Sequence, residues 1–412
     1  MPENTDRNLK SNFLWNTAGV VFSLVCQWLI TVLVVRFSDD YVASGILSLA
    51  MSLANVFAMI ALFNMRNYQV SDTENRFSQS EYLAFRLITV TLSLALLVVC
   101  ALVLGYEPYV FFCIVGFMIV KLAESFADVL HGTAQKKWRL DVAGKSFIIR
   151  GALMLMSFVA VFPLTDNLAL AIAVMAITNV LAVLIYDLPA TLKIERLSIH
   201  RQTWRRSLPL FRVSLPMVIY GLAINSMMPV AKCILEAVRD EEALGVYGSV
   251  TTVATLIQTF VILIFTPLIG VFGEAYSKGD RRALTYGVLR LIAMIGALTG
   301  AALLLVLFLG EPVMVLVFGE GISDFVYLLY PTVIISALTA FVWMLGMVLV
   351  VMRSMACLLF GSVFGFAVST VLCAVLSRTT LYSGINTGLA VGLCVTGVTY
   401  LCRFVYYVIT RK

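Results

Sequence analysis

The sequence predicts an all-α integral membrane protein with about twelve spanning helices in two six-helix lobes. Three observations carry this. The 412-residue chain is 61% hydrophobic and only 13% charged, whereas soluble domains run near half apolar and a quarter charged. Its apolar residues come in runs of roughly twenty, the length that crosses a bilayer as a helix. Its Lys and Arg residues collect in every second loop, which is the signature of the cytoplasmic side.

The first six runs fall near 13–36, 42–64, 84–105, 109–132, 145–164 and 167–188. The second six fall near 214–237, 245–272, 285–309, 326–351, 355–377 and 385–408. Arg7 and Lys10 precede the first run, as in a signal peptide. That run is too long for a signal core, however, and no small-x-small site follows it, so it reads as a retained span. The eight cysteines sit inside apolar runs without CxxC spacing. They read as small buried hydrophobes, with neither disulfides nor zinc implied.

Charge sets the sidedness. Loop 2–3 is assigned Arg66, Arg76 and Arg86; loop 4–5 Lys136, Lys137, Arg139, Lys145 and Arg150. Loop 6–7 holds Lys193, Arg196, Arg201, Arg205, Arg206 and Arg212, and loop 8–9 Lys278, Arg281 and Arg282. The alternate loops hold only Arg36, Arg239 and Arg378, with acids such as Glu107, Asp166, Glu311 and Glu320. Both termini, including Arg411 and Lys412, are therefore expected in the cytoplasm. Placed this way, the net charge of +6 is a topology signal, and no nucleic-acid partner is expected.

The polar, basic stretch 193–213, with Trp204, reads as a cytoplasmic connector lying on anionic headgroups. It divides an N-terminal lobe, 1–192, from a C-terminal lobe, 214–412. The lobes read as a repeat. Asp39-Asp40-Tyr41-Val42-Ala43-Ser44-Gly45 and Arg239-Asp240-Glu241-Glu242-Ala243-Leu244-Gly245 share acid, Ala and Gly positions at the same joint. Six spans per lobe give both the same orientation, so a pseudo-two-fold axis along the membrane normal is expected.

Little in the chain suggests catalysis. His131 and His200 are the only histidines. Gly144-Lys145-Ser146 lacks the preceding Gly of a phosphate-binding loop, since position 139 is Arg. No enzyme, metal or cofactor is implied. The fourth span is informative: Lys121, Glu124, Asp128, His131 and Gln135 fall on one helical face. A charge there costs at least ~2.5–3.5 kcal/mol against lipid, so the stripe should face a wet cleft or partners. A self-neutralising Lys121–Glu124 pair that only packs helices is the plainer account. The seventh span carries Asn225, Pro229, Lys232 and Glu236. Pro229 should kink it, and Lys232 with Glu236 can form an i,i+4 pair. Pro216, Pro267 and Pro331 mark further kinks. Arg150, Arg290 and Arg403 read first as snorkelling anchors at helix ends. Asn16, Gln27, Asn55 and Gln258 could bind sugar hydroxyls or join helices by hydrogen bonds.

The stretch Arg66-Asn67-Tyr68-Gln69-Val70-Ser71-Asp72, followed by Tyr82 and Arg86, resembles the loop after the second span in bacterial polysaccharide flippases of O-antigen and teichoic-acid type. These belong to the multidrug/oligosaccharidyl-lipid/polysaccharide exporter superfamily. Lys121 to Gln135, Arg139-Leu140-Asp141 and Gly144-Lys145-Ser146 through Arg150 resemble that family's fourth and fifth spans. The resemblance implies alternating-access export of undecaprenyl-diphosphate-linked oligosaccharides across the bacterial cytoplasmic membrane. The partners implied are that lipid-linked oligosaccharide, the bilayer and polysaccharide-assembly proteins. The arginine-rich first helix of the lipid II flippases is absent.

On that resemblance Lys121 is the leading cation for the diphosphate, followed by Arg66, Arg150, Arg290 and Lys232, with Asn225 a sugar-binding candidate. Glu124 and Asp128 are candidates for ion or proton coupling. A cation-coupled multidrug exporter of the same fold, whose site should be acidic and aromatic, is the alternative. A membrane glycosyl polymerase or ligase would want a large exoplasmic loop with Arg or His. The sidedness is directly testable. Cysteines placed at Arg201 and Lys278 should label only from the cytoplasm, and one at Asp166 only from outside. Labelling of position 166 from the inside overturns the span assignment.

Overall fold

The computed structural model describes residues 3–38, 40–72, 74–198, 200–265, 272, 276 and 278–410. Asp39, Pro267, Arg411 and Lys412 lie outside the described residues, as do the side chains of Arg7, Lys10 and Gln258. The fold is helical throughout the described residues. It divides into two compact units, 1–222 and 223–412.

The first unit contains α1 (Glu3–Phe37), α2 (Val42–Leu62), α3 (Met65–Ser71), α4 (Gln79–Leu104), α5 (Pro108–Lys136), α6 (Leu140–Thr165) and α7 (Leu168–Ala182). A π-helical turn, Val183–Asp187, then leads into α8 (Leu188–Ile194). Next come α9 (Arg201–Ser207) and α10 (Pro209–Asn225), whose last turn enters the second unit. That unit continues with α11 (Met227–Val238), α12 (Glu241–Phe265), α13 (Arg281–Phe318), α14 (Leu329–Val351) and α15 (Met355–Thr410).

Among the described residues nine helices are long and apolar enough to cross a membrane. One of them, α15, has 56 residues and is broken by non-helical Thr380 and Leu381. At 1.5 Å per residue it is long enough for two passes. Counting it twice, and adding α10 with α11 and then α12, gives twelve passages along the chain.

Local chemistry sets the ends. Ser78 opens α4 with a capping box: its hydroxyl accepts from the Glu81 N–H, and the Glu81 carboxylate accepts from the Ser78 N–H. This starts the third span at Gln79 rather than near residue 84. Pro108 occupies the first turn of α5, where its missing N–H costs nothing. Asn167 caps α7 through the Leu170 N–H. The joint acids act alike: Asp40 accepts from the Val42 N–H at 3.0 Å, and Asp240 from the Ala243 N–H at 2.8 Å. At each matched joint an aspartate thus satisfies a first-turn N–H, Asp240 from the position just before its helix and Asp40 from one residue further back.

The expected kinks divide. The seventh span breaks at Ser226, between α10 and α11, just after Asn225, whose carbonyl the Pro229 ring would exclude. Pro216 instead sits inside continuous α10. Pro331 lies in the first turn of α14, where no intrahelical donor is lost.

The stretch 193–213 docks on the first unit. Leu210 joins the apolar cluster of Phe63, Phe85 and Leu130. The Phe211 ring meets Phe63 at 5.2 Å and Phe85 at 4.6 Å. Between α3 and α4, Asp72 accepts from the Arg76 and Phe77 N–H groups and from the Tyr82 hydroxyl. Burial pushes its carboxyl up, but these bonds and the charge of Lys136 outweigh that and hold it below the ordinary range.

Gly144 has a packing role. A Cβ there would collide with the Trp15 carbonyl, and one on Gly19 with the Gly144 carbonyl. Small residues let α1 and α6 approach backbone to backbone. Gly144→Leu should therefore destabilise the protein by about 1–3 kcal/mol or more. A lowered midpoint in detergent-resistance or thermal unfolding assays would show it; an unchanged midpoint would mean the two helices can part freely.

Candidate functional site

The first unit contains an open cavity of about 310 Å³ whose lining residues all come from that unit. Lys121, Glu124, Asp128 and His131 from α5 form one wall. They recur at three- and four-residue spacing, so a single helix face presents them together. Arg150 from α6 faces the same space, and Gln27 from α1 and Asn55 from α2 add neutral polar groups.

The charges are arranged in three groups. The Lys121 ammonium contacts the Glu124 carboxylate at 2.9 Å and lies over the Phe117 ring. Asp128 is clamped twice: Arg66 reaches Oδ1 at 3.4 Å and Arg86 reaches Oδ2 at 2.9 Å. Arg66 also donates to the Gln135 side chain at 3.0 Å. His131 Nε2 meets Asp187 Oδ1 at 2.9 Å, with both side chains 1% exposed.

Arg86 corrects the loop assignment. It lies within α4, fully buried, and not in a solvated loop. Its second anchor is the Ala61 carbonyl, which Thr89 also reaches. That carbonyl is free because α2 ends at once: Phe63 and Asn64 are both left-handed, so it lacks an intrahelical partner.

Arg150 is also not a snorkelling anchor. It is 4% exposed. Its Nε donates to Ser146 Oγ at 3.1 Å, and its guanidinium lies over the Phe147 ring. Its Nη1 is buried without a hydrogen-bond partner among the described residues. No carboxylate among the described residues pairs with it.

The remaining sequence candidates lie elsewhere. Arg290, on α13, is exposed. Lys232, on α11, is partly buried. Asn225 lines a separate pocket of about 100 Å³ in the second unit with Thr251, Ser336, Thr339 and Trp343, all uncharged. Among the described residues no group of three His, Cys, Asp or Glu could hold a metal ion.

Sequence reasoning missed Arg86 and Asp187. Arg86 was absorbed into a positive loop count, and Asp187 sat at the apparent end of the sixth span. A signal for the latter was present in Pro189. Its ring excludes the Ile185 carbonyl from a regular helix, and the chain widens into the π turn Val183–Asp187, with the Leu188 N–H bonded to the Val183 carbonyl. π turns often mark functional positions in helices.

The Asp128 clamp predicts a measurable asymmetry. Asp128→Ala leaves Arg86 buried and unpaired, which should cost about 3–5 kcal/mol. The double variant Asp128→Ala, Arg86→Met should recover much of it. Thermal unfolding in detergent checks both; equal losses in the two would show that charge pairing is not what Asp128 supplies.

No protein-family model matches the chain. It is 23% identical over 316 residues to the capsular polysaccharide biosynthesis protein CapF of Staphylococcus aureus, covering 76% of this chain and 78% of CapF. Its structure is similar to an outward-facing multidrug-resistance MATE transporter of the MOP superfamily, with TM-score 0.63, 15% identity and coverage of 97% and 95%. A MOP-superfamily transporter from Pyrococcus furiosus, described as having a binding pocket of reverse polarity, aligns at TM-score 0.62 and 15% identity over 97% and 96%. A mutant of the Vibrio cholerae MATE transporter VcmN aligns at 0.63 and 13% over 100% and 99%. The chain is a multi-pass all-α membrane protein with the fold of the MOP-superfamily transporters.

Proposed function

We propose that this chain is a flippase that moves undecaprenyl-diphosphate-linked oligosaccharide units across the bacterial cytoplasmic membrane by alternating access, for polysaccharide biosynthesis. One observation carries this reading: in and behind the wall of the first-unit cavity four cations, Lys121, Arg150, Arg66 and Arg86, stand against three carboxylates, Glu124, Asp128 and the Asp187 bonded to His131. Glu124 and Asp128 are already paired with cations and Asp187 with His131, and Arg150 has no acid partner among the described residues. The excess is positive, in a low-dielectric setting where an anion gains most. The Staphylococcus relative, named for capsular polysaccharide biosynthesis, supports the same substrate class.

The geometry supports the following roles. The diphosphate takes the open valence of Arg150 and competes with Glu124 for the Lys121 ammonium. Asp128 positions Arg66 at the cavity edge and keeps Arg86 compensated, a structural task that replaces the coupling role expected of it. Glu124 is the mobile acid, partly exposed and paired with a flexible lysine. A volume of about 310 Å³ suits a diphosphate with its first sugar, so the rest of the glycan and the isoprenoid tail lie outside it. Arg290 and Lys232 are left as helix-end and intralobe charges, and Asn225 as a neutral contact in the second unit.

The test is flipping of a fluorescent undecaprenyl-diphosphate oligosaccharide in proteoliposomes. Arg150→Ala and Lys121→Ala should each cost about 2–5 kcal/mol of anion binding, read as more than tenfold slower flipping at unchanged protein level. Arg150→Lys should retain part of the rate. Full flipping by an Arg150→Ala, Lys121→Ala double variant refutes this site. Efflux of cationic dyes with no flipping points instead to a multidrug exporter of this fold.

A further inference from the structure

One buried titratable pair in the cavity wall has no part in this scheme. His131 and Asp187 are both 1% exposed and joined at 2.9 Å. Asp187 Oδ2 is buried without a hydrogen-bond partner among the described residues. Two ionisable groups so far from water are costly to bury, and a single bond between them leaves Asp187 Oδ2 uncompensated among the described residues. The backbone that delivers Asp187 is also irregular, since the π turn Val183–Asp187 turns this carboxylate toward α5.

His131 itself lines the cavity. It shares an aromatic neighbour with the unpaired guanidinium: the Phe147 ring lies 5.3 Å from the imidazole and 5.3 Å from the Arg150 guanidinium carbon. The charged groups facing the pair come from several elements. Arg150 approaches from α6 and Arg66 from α3, and both act electrostatically on the imidazole. On α5 itself Asp128, Glu124 and Lys121 share the cavity. Tyr186 sits beside Asp187 in the π turn. Among the described residues, α1 and α2 add no charged group to the lining, and its polar members from them are the neutral Ser23, Gln27 and Asn55.

We propose that His131 and Asp187 form a proton-binding site whose occupancy is coupled to the anion in this cavity. This rests on the anion-transport reading above. With Asp187 ionised, the imidazole carries its hydrogen on Nε2 and keeps a lone pair on Nδ1. One proton from solvent binds that lone pair, and the pair changes from net negative to neutral. Without an anion, Arg150 and Arg66 oppose the added charge. A diphosphate beside Arg150 cancels that opposition, so anion entry draws a proton in and anion release lets it go. Linkage makes the effect reciprocal: the protonated protein binds the anion more tightly.

The chain has only two histidines, which makes the site spectroscopically addressable. In a His200→Gln background, ¹⁵N-histidine labelling reports His131 alone in the full-length protein in nanodiscs. UDP-N-acetylglucosamine serves as probe, a diphosphate diester whose phosphate charge is constant between pH 5 and 8. The expected result is an imidazole that gains a proton within pH 5–9, with a larger protonated fraction at fixed pH when the probe is bound. In parallel, calorimetric binding of the probe should tighten about tenfold from pH 8 to pH 6, and His131→Gln should flatten this dependence. Asp187→Asn should abolish the titration or displace it, and Pro189→Ala, which removes the cause of the π turn, should do the same without altering any charge. An imidazole spectrum invariant from pH 5 to 9 overturns the proton site even if the probe binds. A titrating imidazole indifferent to bound probe overturns the coupling. Failure of the probe and of the lipid-linked substrate to bind at all sinks the transport reading instead, and the titration alone then decides whether the pair holds a proton.

Discussion

The first lobe is organised around one carboxylate. Asp128 draws Arg86 from α4 and Arg66 from α3 onto α5, and through them ties down the end of α2 at the Ala61 carbonyl. Arg86 is fully buried, and a guanidinium cannot shed its charge as a lysine can. Its burial is tolerable only because Asp128 and a main-chain carbonyl receive it. The clamp thus fixes where α3, α4 and α5 meet, and by fixing α5 it sets the position of Lys121, Glu124 and His131.

On the proposed reading, Asp128 is committed to structure and the functional burden falls on groups that remain adjustable. Glu124 is partly exposed and bonded to a lysine. Arg150 has an unused donor. His131 and Asp187 form the proposed proton site. The second lobe offers no counterpart within its own pocket, which is lined by Asn225, Thr251, Ser336, Thr339 and Trp343 among apolar residues. Among the described residues the charged cavity lies in the first lobe, while the aspartates Asp40 and Asp240 each bond a first-turn N–H at the matched joints.

What could be read in the sequence was whatever has a short period. The α5 stripe was legible because its spacing of three and four is a helix face, and a mid-span charge is too costly to leave unexplained. The helical class and the number of passages were legible because apolar runs of bilayer length have few other readings. Arg86 was not, because its partners stand on other helices and nothing local distinguishes a buried arginine near a span end from a snorkelling one; for Asp187, Pro189 signals the irregular turn but not the partner, which stands on another helix. Arg150 was misjudged for the same reason: its position along the chain resembles an anchor, and only the packing of α6 beside the cavity reveals its burial. The prolines were half legible. Pro229 marked a break because its excluded carbonyl lies mid-span, whereas Pro216 is accommodated within a continuous helix.

An anion carrier that binds through excess positive charge faces a release problem. The attraction that loads the site also holds the ligand, so export requires the excess to fall on the far side. On the proposed reading the cavity offers two means of lowering it. Glu124 can return to Lys121, replacing the diphosphate by a tethered carboxylate at high effective concentration. In the proposed coupling, loss of a proton from the His131–Asp187 pair removes one further positive charge beside Arg150. The first operates in every cycle and adds no directionality, because it is the same on both faces of the membrane. The second depends on proton activity and therefore differs between the two faces whenever a pH gradient exists. A proton bound at the same time as the anion would travel with it, whereas one released as the anion binds would travel against it. The sign here follows from the fixed guanidinium: an anion at Arg150 favours the protonated imidazole, so proton and anion enter and leave together. Export driven this way requires the compartment of loading to be the more acidic one, and where the outside is more acidic the same linkage retards release. On that arithmetic the proton site acts as a gate on anion affinity, and the net direction of transport must come from consumption of the flipped product.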